Sequence, residues 1–165
     1  MTTDTSDRTA VQRRFWDDIE KNQIGMLGLS DQPQSLQPMT AFVERDTGEL
    51  WFFTRDDTDL ATEIESGARP ALFTYQSKDI YACVRGDLSL RNDPARMDRY
   101  WNAVVAAWYP EGRDDPHLRL ACMRLHEADV WISEAGPVRF AWEIAKANAT
   151  SQQPDLGGRA HLDFH

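Results

Sequence analysis

The sequence predicts an α+β fold, mainly β: a small β-barrel of six or seven short strands with helices added at its ends. Three observations predict it. Short runs rich in β-branched and aromatic residues recur through the chain, turn residues separate them, and amphipathic helical patterns flank them. The 165 residues have the length of one domain, spanning 1–165 with tails at 1–8 and 158–165. A chain of this size buries roughly 70% of its unfolded surface, so its core needs no disulfide or structural metal.

The elements follow in order. Val11, Phe15 and Ile19 recur every fourth residue, with Trp16 beside them and charges between, which predicts a helix capped by Asp7. Residues 24–30 form an apolar run whose glycines, Gly25 and Gly28, predict a strand with a bulge or a close backbone approach. Residues 36–45 alternate as a second strand, a turn spans 46–49, and the aromatic run 50–54 is a third strand, completing a meander. A short helix is expected over 58–66, capped by Thr58 or Asp57 and stopped by Gly67. Residues 70–76 and 80–90 read as strands, the second broken at Gly86 where a barrel bends. Asp93-Pro94 opens a helix running to about Trp108, because Asp caps and Pro sits where no N–H is needed. Strands at 120–126 and 129–133 come next, then a helix opened by Gly136-Pro137 that carries Phe140, Ile144 and Ala147.

Acids outnumber bases, 27 Asp+Glu against 18 Lys+Arg, for a net charge of −9. Without a dense basic patch such a surface repels phosphates, so neither nucleic acid nor a membrane is expected as a partner. No secretory signal or membrane span is evident, which points to the cytoplasm. Cys83 and Cys122 have no metal-ligand spacing and read as buried reduced thiols. His117, His126, His161 and His165 lack such spacing too, so no metal is expected. No G-x-S-x-G is present, and no carboxylate, His or Tyr stands out as a general acid or base. No catalytic residue is assigned.

Several segments occur in a telling order: Gln37-Pro38-Met39-Thr40, Leu50-Trp51-Phe52-Phe53-Thr54, Trp101, Trp108-Tyr109-Pro110-Glu111-Gly112 followed by an Asp-Asp-Pro, Trp131, and Pro154 to Gly157. Over about residues 11–163 the chain resembles the general stress protein 26 family, among the pyridoxamine 5'-phosphate oxidase-like FMN-binding split barrels. The resemblance implies a six-stranded split β-barrel with flanking helices, a homodimer, and FMN in a cleft at the dimer interface, with FAD or another flavin as the alternative. It implies a flavin-binding general stress protein acting as an FMN-dependent oxidoreductase, or else a non-enzymatic stress or binding protein that has lost tight FMN binding.

In that family the strand matching Gln37, Pro38, Met39 and Thr40 runs beside the flavin ring. The strand end at Phe53 and Thr54, with the helix start at Thr58, holds the phosphate; a helix start favours anions through its unpaired N–H groups and dipole. Thr54 and Thr58 add hydroxyl donors there, or serve only as a strand end and an N-cap. Trp131 is a further candidate ring neighbour, across the dimer; for it and for Met39 plain core or interface packing is the alternative.

Two positions depart from the family pattern. Gln37 stands where the family places Arg before the Pro-Met pair, and Leu60 stands where it places Lys two residues after the position matched to Thr58. Arg grips phosphate bidentately and Lys supplies a point charge, whereas Gln is neutral and Leu offers nothing. Two lost charged hydrogen bonds weaken a phosphate grip by ~3 to 6 kcal/mol. Residues 44–65 also hold eight acids against two bases. Arg55, Lys78 or an Arg from the partner chain is the base expected to substitute. Arg159-Ala160-His161 resembles the substrate clamp of the oxidases proper, without the longer C-terminal region found there.

Overall fold

A computed structural model describes residues 8–133, 137–153 and 157–165, with the backbone alone over 137–140. The expectations for Asp7, Gly136, the Phe140 side chain and residues 154–156 lie outside the described residues. Helix α1 (Arg8–Asn22) forms where the fourfold spacing places it and buries Val11, Phe15, Trp16 and Ile19. They join Leu27, Phe52, Phe73 and Leu88 in the main core, each such side chain stabilising the fold by roughly 1.5 to 3 kcal/mol when fully buried.

The strands are β1 (Ile24–Leu29), β2 (Gln37–Thr40), β3 (Phe42–Glu44), β4 (Glu49–Arg55), β5 (Arg69–Gln76), β6 (Ile80–Arg91), β7 (Leu118–Ser133) and β8 (Gly157–Asp163). All pair antiparallel in the order β2-β1-β5-β6-β7-β4-β3, with β8 paired to β7 as well. The helices that flank this curled, mainly β sheet are α1, α2 (Asp59–Ile64), α3 (Pro94–Tyr100), α4 (Ala103–Trp108) and α5 (Pro137–Thr150).

Among the described residues the strands number eight where six or seven were expected, after three local changes. The 36–45 segment divides at Ala41, whose N–H donates to the Gln23 carbonyl at 2.7 Å. Its halves pair with different partners, β2 with β1 and β3 with β4. They therefore stand at opposite ends of the sheet order, and the chain passing through Ala41 joins those ends. Residues 157–163, expected in a tail, form β8 along β7. In the other direction, the two strands expected at 120–126 and 129–133 are one long strand, β7, whose pairing with β6 continues past a register shift at Arg85/Gly86.

Gly86 belongs at that shift because a Cβ there would lie 2.1 Å from the Arg124 carbonyl oxygen. At Gly25 a Cβ would meet the Thr74 carbonyl oxygen at 2.5 Å and the Phe73 ring at 2.4 Å, so this glycine marks a close approach. The helix expected over 94–108 is two helices. Trp101 is extended and packs edge-on against Phe53, and Asn102 caps α4 by accepting from the Val105 N–H at 2.9 Å. Beneath α3 and α4, Phe42, Trp51, Phe53, Met97 and Cys122 form a second apolar cluster. Burial pushes the Cys122 thiol up to about 12, as befits an inert reduced cysteine.

Candidate functional site

A cleft of about 350 Å³ opens between the β1–β2 hairpin and α2. Gly28, Gln37, Thr58, Asp59, Leu60 and Glu63 are among the residues lining it. Gln37 is exposed at the start of β2, which pairs through Leu27↔Gln37. Thr58 caps α2, placing Asp59, Leu60 and Glu63 on the helix that borders the cleft. The two positions that depart from the family pattern, 37 and 60, therefore meet at one site although 23 residues apart.

Both threonine hydroxyls are spent inside the protein. Thr58 donates its O–H to the Arg55 carbonyl at 2.9 Å and accepts from the Ala61 N–H at 3.2 Å. Thr54, buried at the end of β4, lies 3.2 Å from the Thr58 oxygen and donates to it, since the Thr58 proton is already committed. Arg55 is held by Asp57 at 3.2 Å and by the buried Asp115. Its hydrogen bond to Asp57, with both carboxylates near, raises its pKa.

The remaining expected site residues divide. Pro38 is exposed and Met39 and Thr40 half-buried along β2, continuing the strand from the cleft. Phe53 turns away: its ring packs against Phe42, Trp101 and Tyr109, and its carbonyl accepts from the Tyr109 hydroxyl at 3.0 Å. Trp131 stands on β7, four strands along the sheet from β2. It is 41% exposed beneath the Arg159 guanidinium, 5.0 Å from its ring. Asp59, Glu63, Gln32 and Ser35, which also line the cleft, carry no motif. The spacing of Asp59 and Glu63, one helical turn apart, is the one signal that marks them as neighbours.

The charges around the cleft are lopsided. Asp59 and Glu63 line it, and among the described residues no Lys, Arg or His does. Arg69 approaches from β5 but is held by Glu63 at 2.8 Å and Asp31 at 2.9 Å. A second polar region, across β6, β7 and β8, is balanced. Arg85 bonds Glu127 at 2.7 Å and Asp129 at 2.9 Å, Arg159 pairs with Asp129 at 3.4 Å, and His161 reaches Asp129 at 3.1 Å and Glu127 at 3.2 Å. The bond from Arg85, then those from His161 and Arg159, holds the Asp129 carboxyl at about 2. Asp129 in turn raises the His161 pKa. Glu127, His161 and Asp163 bring one ligand atom each within 4.8 Å of one another, a proximity that chain spacing did not show. Arg85 and Asp129 already engage this group, and we read it as an ion-pair ladder.

This curled antiparallel sheet with its flanking helices is a split-barrel architecture, and comparison gives it a family. Residues 10–155 match the pyridoxamine 5'-phosphate oxidase-like proteins, and the chain belongs to that family. A candidate general stress protein 26 from Jannaschia sp. CCS1 superposes with a TM-score of 0.81 at 35% identity, over 94% of this chain and 99% of its own. The general stress FMN/FAD binding protein from Xanthomonas citri superposes at 0.70 with 36% identity, over 78% of this chain and 92% of its own. A candidate general stress family protein from Xanthomonas campestris gives 0.70 and 36%, over 79% and 92%. No curated protein matches. Among the described residues no helix is long and apolar enough to cross a membrane.

An FMN phosphate does not fit the α2 end of the cleft. Its hydroxyls are committed, Arg55 is held by two carboxylates, and the charges lining the cleft are negative. The six residues of α2 add little dipole. Beside β2, Gln37, Ser35 and Gln32 offer neutral hydrogen-bonding groups next to Leu29 and Leu60.

Proposed function

We propose that this chain is a flavin-binding general stress protein whose flavin lies along β2 and enters the cleft beside α2. One observation carries the reading: Gln37 and the Thr58–Leu60 turn, far apart in sequence, line a single cleft in a chain of this family. The Xanthomonas citri relative, an FMN/FAD binding protein, supports it. FMN is the flavin the resemblance implies, and the lost anchors at Gln37 and Leu60 make its hold on the phosphate weak. A bound flavin supplies hydride and electron chemistry itself; this chain supplies the cleft.

A homodimer belongs to the same proposal. Ile24, Met26, Tyr81 and Trp131 are large apolar residues, each more than a third exposed, on strands β1, β6 and β7. Such exposed apolar area supports a protein partner, and in this reading Trp131 reaches the flavin across the dimer. The test is titration of apo-protein with FMN and FAD, followed by flavin fluorescence, beside sedimentation at micromolar concentration. Saturable quenching in a dimer is the expected result. A monomer with no quenching at high micromolar flavin would sink the proposal. A second reading, a stress protein of this fold that has lost tight FMN binding and turnover, is favoured by the committed threonine hydroxyls. Micromolar rather than nanomolar FMN affinity, with no oxidation of reduced nicotinamide, would select it.

A further inference from the structure

The cleft beside α2 is matched to a different chemical class of ligand end than a phosphate. Asp59 and Glu63 are acceptor-only groups when ionised, and Gln32, Ser35, Gln37 and Thr62 around them are neutral donors and acceptors. Carboxylates facing an open cleft repel an anion and accept hydrogen bonds from hydroxyls. Glu63 is offset in part by Arg69, which it shares with Asp31, while among the described residues Asp59 has no ion-pair partner. Arg55 is bonded to Asp57 and Asp115. Leu60 and Leu29 add apolar surface suited to a carbon chain.

We propose that this cleft takes an uncharged, hydroxyl-rich end of its ligand, so that the chain binds riboflavin in preference to FMN. The inference rests on the flavin reading above. The two ligands share ring and ribityl chain, so ring contacts cancel in the comparison and the phosphate alone decides.

The experiment titrates full-length apo-protein with riboflavin and with FMN by fluorescence quenching, at low and at raised ionic strength. The Asp59 carboxylate, with Glu63 only partly offset by the Arg69 it shares with Asp31, should weaken binding of the FMN dianion relative to riboflavin by roughly threefold or more at low salt. Added salt should close the gap by tightening FMN while leaving riboflavin unchanged. Glu63→Gln removes one acceptor charge and releases Arg69, so it should lower the riboflavin preference by roughly threefold or more. FMN binding as tightly as riboflavin, or more tightly, overturns the proposal while leaving the flavin reading intact. So does a preference that neither salt nor Glu63→Gln changes. Absence of saturable quenching by either ligand overturns both.

Discussion

The cleft beside α2 and the ladder across β6, β7 and β8 both gather carboxylates, the first on a helix and the second on the sheet, and the protein handles them in opposite ways. In the ladder, Glu127 and Asp129 each receive Arg85, and His161 and Arg159 complete the set. At the cleft, Asp59 has no ion-pair partner among the described residues, and Glu63 has only the Arg69 that it shares with Asp31. A carboxylate already answered by cations holds strands together. One left facing a cavity sets which ligand can enter it.

That contrast can be broken most forcefully at the cleft. Gln37→Arg combined with Leu60→Lys places two cations where the family has them, and FMN affinity should rise by roughly a hundredfold or more. An unchanged dissociation constant would show that these positions are not the missing anchors. In the ladder, Asp129→Ala leaves Arg85, Arg159 and His161 facing one another and should cost about 2 kcal/mol in urea unfolding. A loss within error would make the ladder decorative. Thr58→Ala tests whether a cleft hydroxyl is a cap or a ligand group. Stability should fall by about 1 kcal/mol while FMN affinity stays put, and the reverse pattern would assign the hydroxyl to the ligand.

The smallest effect is on pH dependence. His161 is raised above its ordinary 6.5, so its share of stability is complete below 6.5 and is lost as pH rises through the folded value. Asp129 is lowered from 3.8 to about 2, so its share is complete above 3.8 and is lost as pH falls toward 2. The ladder is therefore at full strength between about pH 4 and 6.5. The stability difference between wild type and His161→Gln should be largest near pH 5 and shrink above pH 7; a difference flat across that range would remove His161 from the ladder.

Much of this was legible in the residues, and the failures share a cause. α1 and the cap at Thr58 follow from spacing and side-chain chemistry, which act locally. The division at Ala41, the union of β7 and the strand at 157–163 follow from which partner each segment meets across the sheet, which no local pattern contains. The site divides the same way. Gln37, Leu60 and Thr58 were found through the family pattern. Asp59 and Glu63 looked like two more acids in an acidic stretch, and only the fold shows that they face a cleft. Phe53, at the strand end matched to phosphate binding, faces an aromatic cluster because the alternation along β4 places it there.

The junction at Ala41 has a mechanical consequence. A barrel closed by a full ladder is stiff all the way round, but here β2 and β3 are each bonded to one neighbour and joined to each other by the peptide chain alone. The wall of the barrel thus has a slit with a covalent stitch at one end. Parting β2, which carries Gln37 to Thr40, from the sheet would break its pairing with β1 alone and leave β5, β6 and β7 paired. Its amides should exchange with solvent deuterium earlier than those at the centre of β7.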